Sequence, residues 1–253
     1  MSILRATLIA VVSFAVVAAV VAAIVVFVAP RHQATAGRAE VLPRFVTAAP
    51  VTRAAVPTGP GVADKADPAW VAATAKATGI PVRALQAYAG VAIAVAEAGS
   101  GCGIGWNTLA GIGEIESRHG TIFGGTIQPN GDVIPSVYGV PLAGGAVANI
   151  PDSDKGAIDG DATIDRAVGP MQMIPEAWRN WHVDANLDGV ENPQNIDDET
   201  LAAAHYLCRA GAQKMATEAG WRQAVLAYNA SDTYLSDVIR YSFDYAKAAG
   251  QAR

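Results

Sequence analysis

Charged residues and cysteines are both scarce in this chain. Of its 253 residues, 16% are charged, 51% are hydrophobic and only two are cysteines. A chain with so little charge and so many apolar side chains is not intrinsically disordered. Two cysteines exclude a disulfide-dense scaffold and a four-cysteine zinc site. The net charge of −5 argues against a general nucleic-acid-binding protein.

The charges are unevenly divided between the start of the chain and the rest. Residues 1–65 contain six basic and two acidic side chains, which leaves 12 basic and 21 acidic side chains for the remainder. A basic leader therefore precedes an acidic body.

The leader contains an uncharged stretch, residues 6–29, in which only Thr7 and Ser13 are polar. At about 1.5 Å per residue it spans about 36 Å, enough for the hydrocarbon core of a bilayer. It is also longer than the core of a secretory signal. We therefore predict a membrane anchor within residues 1–29; the alternative is a signal peptide cleaved after Ala36. The positive-inside rule alone would keep the body in the cytoplasm, but the site chemistry below favours an extracytoplasmic body on a single-pass anchor in the cell membrane.

After the anchor, we expect a linker and one helical domain. Residues 30–66 contain five prolines and no regular period, which predicts an extended linker. Residues 67–250 are predicted to be mainly α, with Asp67-Pro68 as N-cap and first helical position. A long Gly/Asp-rich loop, residues 121–168, interrupts the helices, and such loops are usually functional. Predicted helices follow Asp67 and Pro81 and cover about 106–119, 175–182, 196–210, 212–229 and 232–248.

The helix at 106–119 contains a carboxyl group on its apolar side. With Leu109 set at 0° and about 100° per residue, Trp106 falls near about 60°, Ile112 near about 300° and Glu116 near about 340°. Glu114 falls near about 140°, away from these apolar residues, and is predicted to be an ordinary solvated acid. The two carboxyls do not face each other, because residues two apart on a helix diverge.

A carboxyl among apolar residues loses hydration, which disfavours its charged form. The pKa of Glu116 should therefore rise toward neutrality. A carboxylic acid that is still protonated near pH 7 is what glycosidic cleavage needs to protonate the leaving oxygen. The alternative is a rotated helix, with Glu116 at a solvated edge or paired with an arginine.

Three short motifs follow in order: Glu116-Ser117, then GPMQMIP at 169–175, then Ala227-Tyr228-Asn229. Together with DRAVGPMQ (165–172) and PQNIDD (193–198), they resemble the lytic murein transglycosylases, most closely the membrane-bound transglycosylase B type of actinobacteria. The resemblance implies a lysozyme-like α-helical domain that cuts peptidoglycan. The sequence departs from the pattern after Glu116, where SRHG follows, and after Asn229, where Ala-Ser follows.

The resemblance implies roles for individual residues. Glu116 would be the single catalytic acid and base, cleaving the β-1,4 bond between MurNAc and GlcNAc with 1,6-anhydro-MurNAc as the product. No second inward acid is evident in the sequence, and Asp165 is the candidate if one is needed. Plain core packing is the alternative for Met171, Met173 and Tyr228. The residues expected to bind substrate are Ser117, Met171, Gln172, Tyr228 and Asn229.

Residues 184–190, DANLDGV, match the first seven positions of an EF-hand loop. The twelfth position is Asn195 instead of glutamate, so a standard EF-hand fails. The resemblance implies a structural calcium loop closed by a later aspartate, Asp198; the alternative is a solvated turn. No cofactor is expected for catalysis. The expected calcium ligands are Asp184, Asn186, Asp188, Val190 and Asp198.

The two cysteines, Cys102 and Cys208, would pair in an oxidising exterior; the alternative is two buried thiols. The expected partners are peptidoglycan glycan strands and, through the leader, the membrane; the protein is expected to be a monomer. Two rival functions remain open: a peptidoglycan hydrolase of the same fold that uses water, and an anchored wall-binding module without activity.

Overall fold

The structure, a computed structural model, describes residues 42–145 and 147–250. The predicted anchor at 6–29 and the alternative cleavage site after Ala36 lie outside these residues. Within the described ranges, none of the helices combines the length and the hydropathy that a membrane crossing requires.

The described residues are mainly helical, as predicted. They form seven α-helices and two short 3₁₀ turns, Val62–Lys65 and Ile122–Gly124. The helices are α1 (Pro68–Thr78), α2 (Val82–Glu97), α3 (Trp106–Ser117), α4 (Pro175–Trp181), α5 (Ile196–Ala210), α6 (Glu218–Tyr228) and α7 (Asp232–Ala248).

Most helix starts follow from local capping. The Asp67 carboxylate accepts the Trp70 amide at the start of α1, and the Asn195 side chain accepts the Asp197 amide at the start of α5. These side chains satisfy backbone N–H groups that have no partner inside the helix. The helix predicted at 212–229 is wrong over residues 212–217. It begins at Glu218, because the Thr217 side chain accepts the Gly220 amide and caps it there.

Helix α3 lies at the centre of the domain and packs against α7 and α2. Two glycines make these contacts close. A Cβ at Gly111 would lie 2.6 Å from Ser242 Oγ on α7, and one at Gly113 would lie 2.1 Å from the Tyr88 hydroxyl on α2. Any larger residue would push these helices away from α3.

The predicted linker is folded where the structure describes it. Val46, Ala49 and Val62 are buried in the core, and the Ala49 amide donates to Asn107 Oδ1 at 2.9 Å. The compact unit therefore begins at Leu42 instead of Asp67. The prolines of this segment prevent a helix, but they do not prevent packing.

The long loop at 121–168 carries four short strands: β1 (Thr126–Ile127), β2 (Val133–Ile134), β3 (Tyr138–Pro141) and β4 (Arg166–Val168). Strands β1 and β2 pair antiparallel, and so do β3 and β4. Strand β4 leads directly into the GPMQMIP segment. The β-structure thus fixes where that segment enters the helical body.

The predicted disulfide is confirmed. Cys102 and Cys208 are bonded, with their Cα atoms 5.4 Å apart. The bond ties the segment before α3 to the last turns of α5. Closing a loop of 106 residues stabilises the fold by about 4 kcal/mol in the chain-entropy model.

Candidate active site

Glu116 lies in the last turn of α3 and is half-buried. Its Oε1 accepts a hydrogen bond of 2.5 Å from the Tyr234 hydroxyl on α7. Burial raises the pKa of Glu116 to about 7, although the bond from Tyr234 lowers it. The raised value follows from lost hydration, which penalises the charged carboxylate. This side chain can therefore carry a proton near neutral pH.

Glu116 opens onto a cavity of about 320 Å³. The cavity is bordered by the 3₁₀ turn Ile122–Gly124, strand β3, Arg166 on β4 and Gln172. Phe123, Tyr138 and Val140 line it and are exposed large apolar side chains. The carboxyl thus faces an accessible space with an apolar wall and a few polar groups, which is typical of a ligand site.

Glu114 is not the solvated acid that the sequence predicts. It is half-buried, and its Oε2 lies 3.0 Å from His119 Nε2 and 3.2 Å from the Tyr245 hydroxyl. The hydrogen bond from His119 lowers the pKa of Glu114, with a further contribution from Tyr245. The prediction failed because a projection of one helix does not contain the residues that later helices bring to its other face.

Ser117, a predicted substrate contact, is fully buried. Its hydroxyl donates to the Pro170 carbonyl at 2.6 Å and accepts the Gly120 amide at 2.7 Å. Both bonds are internal to the protein. Through its bond to Pro170, Ser117 links the end of α3 to the GPMQMIP segment.

The GPMQMIP segment buries two of its three central side chains and leaves the third, that of Gln172, half-buried. Met171 and Met173 are buried in the core, which is the alternative that the sequence left open for them. Gln172 has a φ of 54° and is half-buried. Its side-chain amide donates to the Gly169 carbonyl at 2.9 Å. Gln172 lines the Glu116 cavity, where it offers hydrogen-bonding groups to a ligand.

A second cavity, of about 390 Å³, also has Gln172 in its wall. Its walls include Trp181, Tyr206 and Tyr228, and the rings of Tyr206 and Tyr228 meet edge to face at 5.7 Å. Because Gln172 lines both cavities, the two spaces are neighbours.

The predicted substrate contact Tyr228 does not bind Glu116; the tyrosine that does is Tyr234. The Tyr228 hydroxyl donates to the Met171 carbonyl at 2.8 Å, so it holds the segment beside Gln172. Tyr234, which binds Glu116, was missed. The signal was available in α7, where Tyr234, Val238 and Tyr245 share the buried face.

Asn229, the last residue of the predicted A-Y-N motif, is exposed and forms the C-cap of α6. Its backbone amide donates to the Val225 carbonyl at 3.1 Å. It lies next to Tyr228 in the chain but lines neither of the two cavities just described.

A second acid near the site, Glu199, was also missed. It is fully buried in the first turn of α5, and its two oxygens accept the backbone amides of Met171 and Met173, at 2.6 and 3.1 Å. Burial raises the pKa of Glu199 well above its ordinary value, and the nearby Glu116 raises it further. Both oxygens are therefore engaged inside the protein.

Asp165, the candidate second acid from the sequence, lies in a different environment. It is buried, and its carboxylate accepts the amide and the hydroxyl of Ser153, at 2.9 and 2.7 Å. Among the described residues, Asp152, Asp154 and Asp165 form the one acidic group whose ligand atoms all lie within 4.8 Å of one another. Through these bonds to Ser153, Asp165 holds the two ends of the 152–165 loop together.

The predicted calcium loop has oxygen donors of the kind that Ca²⁺ prefers, but its carboxylates do not form such a group. Asp184 accepts the Asp188 and Gly189 amides, at 3.1 and 2.8 Å. Asp198 accepts three backbone amides of residues 185–192. The pKa of Asp198 is raised to about 6, mainly by burial and also by Asp184, although the three backbone hydrogen bonds lower it.

The chain matches no protein-family model, no curated protein and no solved structure. Function is therefore inferred from the groups around Glu116 and from the motifs of the sequence.

Proposed function

We propose that this protein is a lytic transglycosylase that cleaves peptidoglycan glycan strands, with Glu116 as general acid and then general base. The observation that carries the proposal is a half-buried carboxyl with a pKa of about 7, bound by Tyr234 and facing a cavity. The ordered motifs around Glu116, Gln172 and Tyr228 also support the proposal, because they resemble the motifs of that family. The lysozyme-like character of the helical domain is part of the same proposal.

In the first step, protonated Glu116 donates its proton to the glycosidic oxygen as the bond between that oxygen and C1 of MurNAc breaks. A general acid works best when its pKa lies near the operating pH, so that the proton is both present and transferable. The departing GlcNAc keeps this proton as its O4 hydroxyl. Glu116 is left as a carboxylate beside an electron-deficient C1.

In the second step, the Glu116 carboxylate removes the proton from the C6 hydroxyl of the same MurNAc. The C6 oxygen then bonds to C1, which closes a 1,6-anhydro ring and restores protonated Glu116. No water is consumed. The reaction therefore needs one carboxyl group, because the substrate supplies its own nucleophile.

The environment of Glu199 supports a one-carboxyl reaction. A glycosidase that uses water normally needs a second carboxylate to activate the water or to attack C1. Glu199 is fully buried and both of its oxygens accept backbone amides, so it is not free to take that role. A hydrolase of the same fold is the rival that the product distinguishes.

The two neighbouring cavities support a polymeric substrate. Gln172 lines both, so a glycan passing the Glu116 cavity would continue along the wall formed by Trp181, Tyr206 and Tyr228. Aromatic rings offer flat apolar faces with polar edges, which suit the faces of sugar rings. The substrate would then occupy several sugar positions.

The proposed location is the outer side of the cell membrane. The Cys102–Cys208 bond supports an oxidising compartment, which is where peptidoglycan lies. The uncharged stretch at 6–29 is the proposed anchor. Calcium, proposed for the 184–198 loop, would have a structural role only.

The proposal is tested by digesting purified peptidoglycan with the protein and identifying the products by mass spectrometry. We expect fragments that end in 1,6-anhydro-MurNAc, which are 18 Da lighter (about one water) than reducing ends. Reducing ends would establish the hydrolase instead. Binding to the wall without any fragments would establish a wall-binding module.

A further inference from the structure

Three consecutive acids open helix α5, and each holds a different part of the molecule. Asp197 pairs with Arg83 on α2, Asp198 accepts amides of the 185–192 loop, and Glu199 accepts the amides of Met171 and Met173. All three are buried. Among them, only Glu199 reaches a segment that borders the Glu116 cavity.

We propose that Glu199 is a positioning residue for the reaction: it fixes the backbone on both sides of Gln172 so that the Gln172 side chain faces the substrate beside Glu116. This inference rests on the proposed function for its substrate. Glu199 itself would not touch the glycan.

The first support is the pattern of hydrogen bonds. The two oxygens of one carboxyl group accept the amides at positions 171 and 173, at 2.6 and 3.1 Å, and so bracket Gln172. Gln172 itself has a φ of 54°, in the left-handed region that L side chains rarely adopt. A backbone in that conformation persists only where its surroundings hold it. The hydrogen bonds to the Glu199 carboxyl group hold it in this way.

The second support is the close approach of the segment to the carboxylate. A Cβ at Gly169, whose φ is 76°, would lie 2.4 Å from Glu199 Oε2 and 1.9 Å from the Pro193 carbonyl oxygen. Only glycine fits at this position, and the absence of a side chain there lets the segment pack directly against Glu199. Ser117 and Tyr228 bind the Pro170 and Met171 carbonyls of the same segment. Three helices thus fix one short stretch of backbone.

The third support is the cost of this arrangement. A fully buried carboxyl group is expensive unless its oxygens are hydrogen-bonded, and apolar residues of similar size often give equal stability. Glu199 supplies what an apolar residue does not, namely two acceptors at a defined spacing. The bracketed residue, Gln172, lines both cavities.

The test uses Glu199→Gln, which keeps the size of the side chain but replaces one acceptor oxygen with an NH₂ group. Amide hydrogen exchange should become faster at Met171 and Met173, by about tenfold or more, while the amides of α3 stay protected. The Gln172 side-chain resonances should shift. Asp197→Asn, from the same helix turn, is the matched control and should leave the exchange of Met171 and Met173 unchanged.

Activity supplies a second readout that a purely structural role would not move. Glu199→Gln and Gln172→Ala should each lower kcat/KM on soluble glycan strands by about tenfold, and the double variant should lose about tenfold instead of about a hundredfold, because both act through Gln172. If kcat/KM of the double variant falls by the product of the two single losses, the proposal is overturned. It is also overturned if amide exchange at Met171 and Met173 is the same in Glu199→Gln as in the wild type.

The two proposals fail separately. If the wild-type protein releases no fragments, the proposed function is lost. Hydrogen exchange and the affinity for chitotetraose, a soluble GlcNAc tetramer, then still decide whether Glu199 positions Gln172. Equal affinity in wild type and Glu199→Gln, together with unchanged exchange, would refute the positioning role whatever the reaction is.

Discussion

Glu114 and Glu116 lie two residues apart on one helix, and their carboxyls have opposite properties. The pKa of Glu116 is raised to about 7, while that of Glu114 is lowered. Both side chains are half-buried, and both accept a hydrogen bond from a tyrosine of α7, Tyr234 in one case and Tyr245 in the other. The tyrosines are therefore not what separates them.

The difference comes from lost hydration, which dominates the pKa of Glu116, and from a third group that opposes it at Glu114. Glu114 has His119, whose Nε2 lies 3.0 Å away and whose other ring nitrogen lies 3.1 Å from the Tyr88 hydroxyl. Glu116 has no basic side chain in hydrogen-bonding contact among the described residues, so lost hydration dominates its pKa. One helix thus presents an acid that keeps its proton on one face and an acid that gives it up on the other.

The largest expected effect is on catalysis. Glu116→Gln removes the transferable proton and should lower the rate of glycan cleavage by about 10³-fold or more. Glu114→Gln should retain cleavage, because Glu114 faces His119 and Tyr245 instead of the cavity. Fragment release from purified peptidoglycan measures both. Full activity in Glu116→Gln, or equal losses in the two variants, would remove the catalytic assignment.

The second effect is on stability as a function of pH. Unfolding returns the pKa of Glu116 from about 7 to its ordinary value of 4.5, so the folded state binds more protons between these values. Glu116 should contribute a fall in stability of about 3 kcal/mol as pH rises through this window, and Glu116→Gln should remove that contribution. Asp198 and Glu199, whose pKa values are also raised, contribute to the fall in both proteins. Urea unfolding at pH 4.5 and 8 measures it; the same fall in wild type and variant would contradict it.

Glu114 should show the opposite sign. Its folded pKa is lowered, so its contribution to stability is present above pH 4.5 and is lost as pH falls further. In Glu114→Gln this acid-induced loss should be smaller than in the wild type, as measured by urea unfolding below pH 4.5. If Glu114→Gln loses as much stability below pH 4.5 as the wild type does, His119 does not stabilise the Glu114 carboxylate.

The comparison extends to the two acidic loops, 152–165 and 184–198. If calcium binds the second, as the sequence motif predicts, Ca²⁺ at about 100 times its Kd should stabilise the fold by about 2.7 kcal/mol. The shift should disappear in Asp184→Asn and persist in Asp154→Asn. The melting temperature measured at increasing Ca²⁺ concentration tests this. A stabilisation that is lost in Asp154→Asn and kept in Asp184→Asn would place the ion in the 152–165 loop. No stabilisation in the wild type would show that the protein does not bind calcium.

The smallest effect concerns the two tyrosines. Tyr234→Phe removes a bond that lowers the pKa of Glu116, so the pKa should rise and the alkaline limb of the pH–rate profile should move to higher pH. The loss of about 1.5 kcal/mol corresponds to roughly tenfold in rate at most. Tyr245→Phe should leave the profile unchanged. Identical profiles in wild type and Tyr234→Phe would exclude the bond as a determinant of that pKa.

Local sequence signals predicted much of this molecule. Capping residues and apolar periodicity gave most helix bounds, and the apolar neighbours of Glu116 gave its burial. What they missed was set by distant contacts: Tyr234 lies 118 positions from Glu116, and Tyr245 lies 131 positions from Glu114. Glu199 was missed for the same reason, since only the fold brings α5 beneath the 169–175 segment.

The most direct test of the central claim is a pH titration of the side-chain carboxyl carbons in protein labelled with ¹³C-glutamate, with Glu114→Gln and Glu116→Gln used to assign the two signals. We predict that Glu116 titrates at about 7 and Glu114 below its ordinary value of 4.5. A Glu116 that titrates near 4.5 would contradict it.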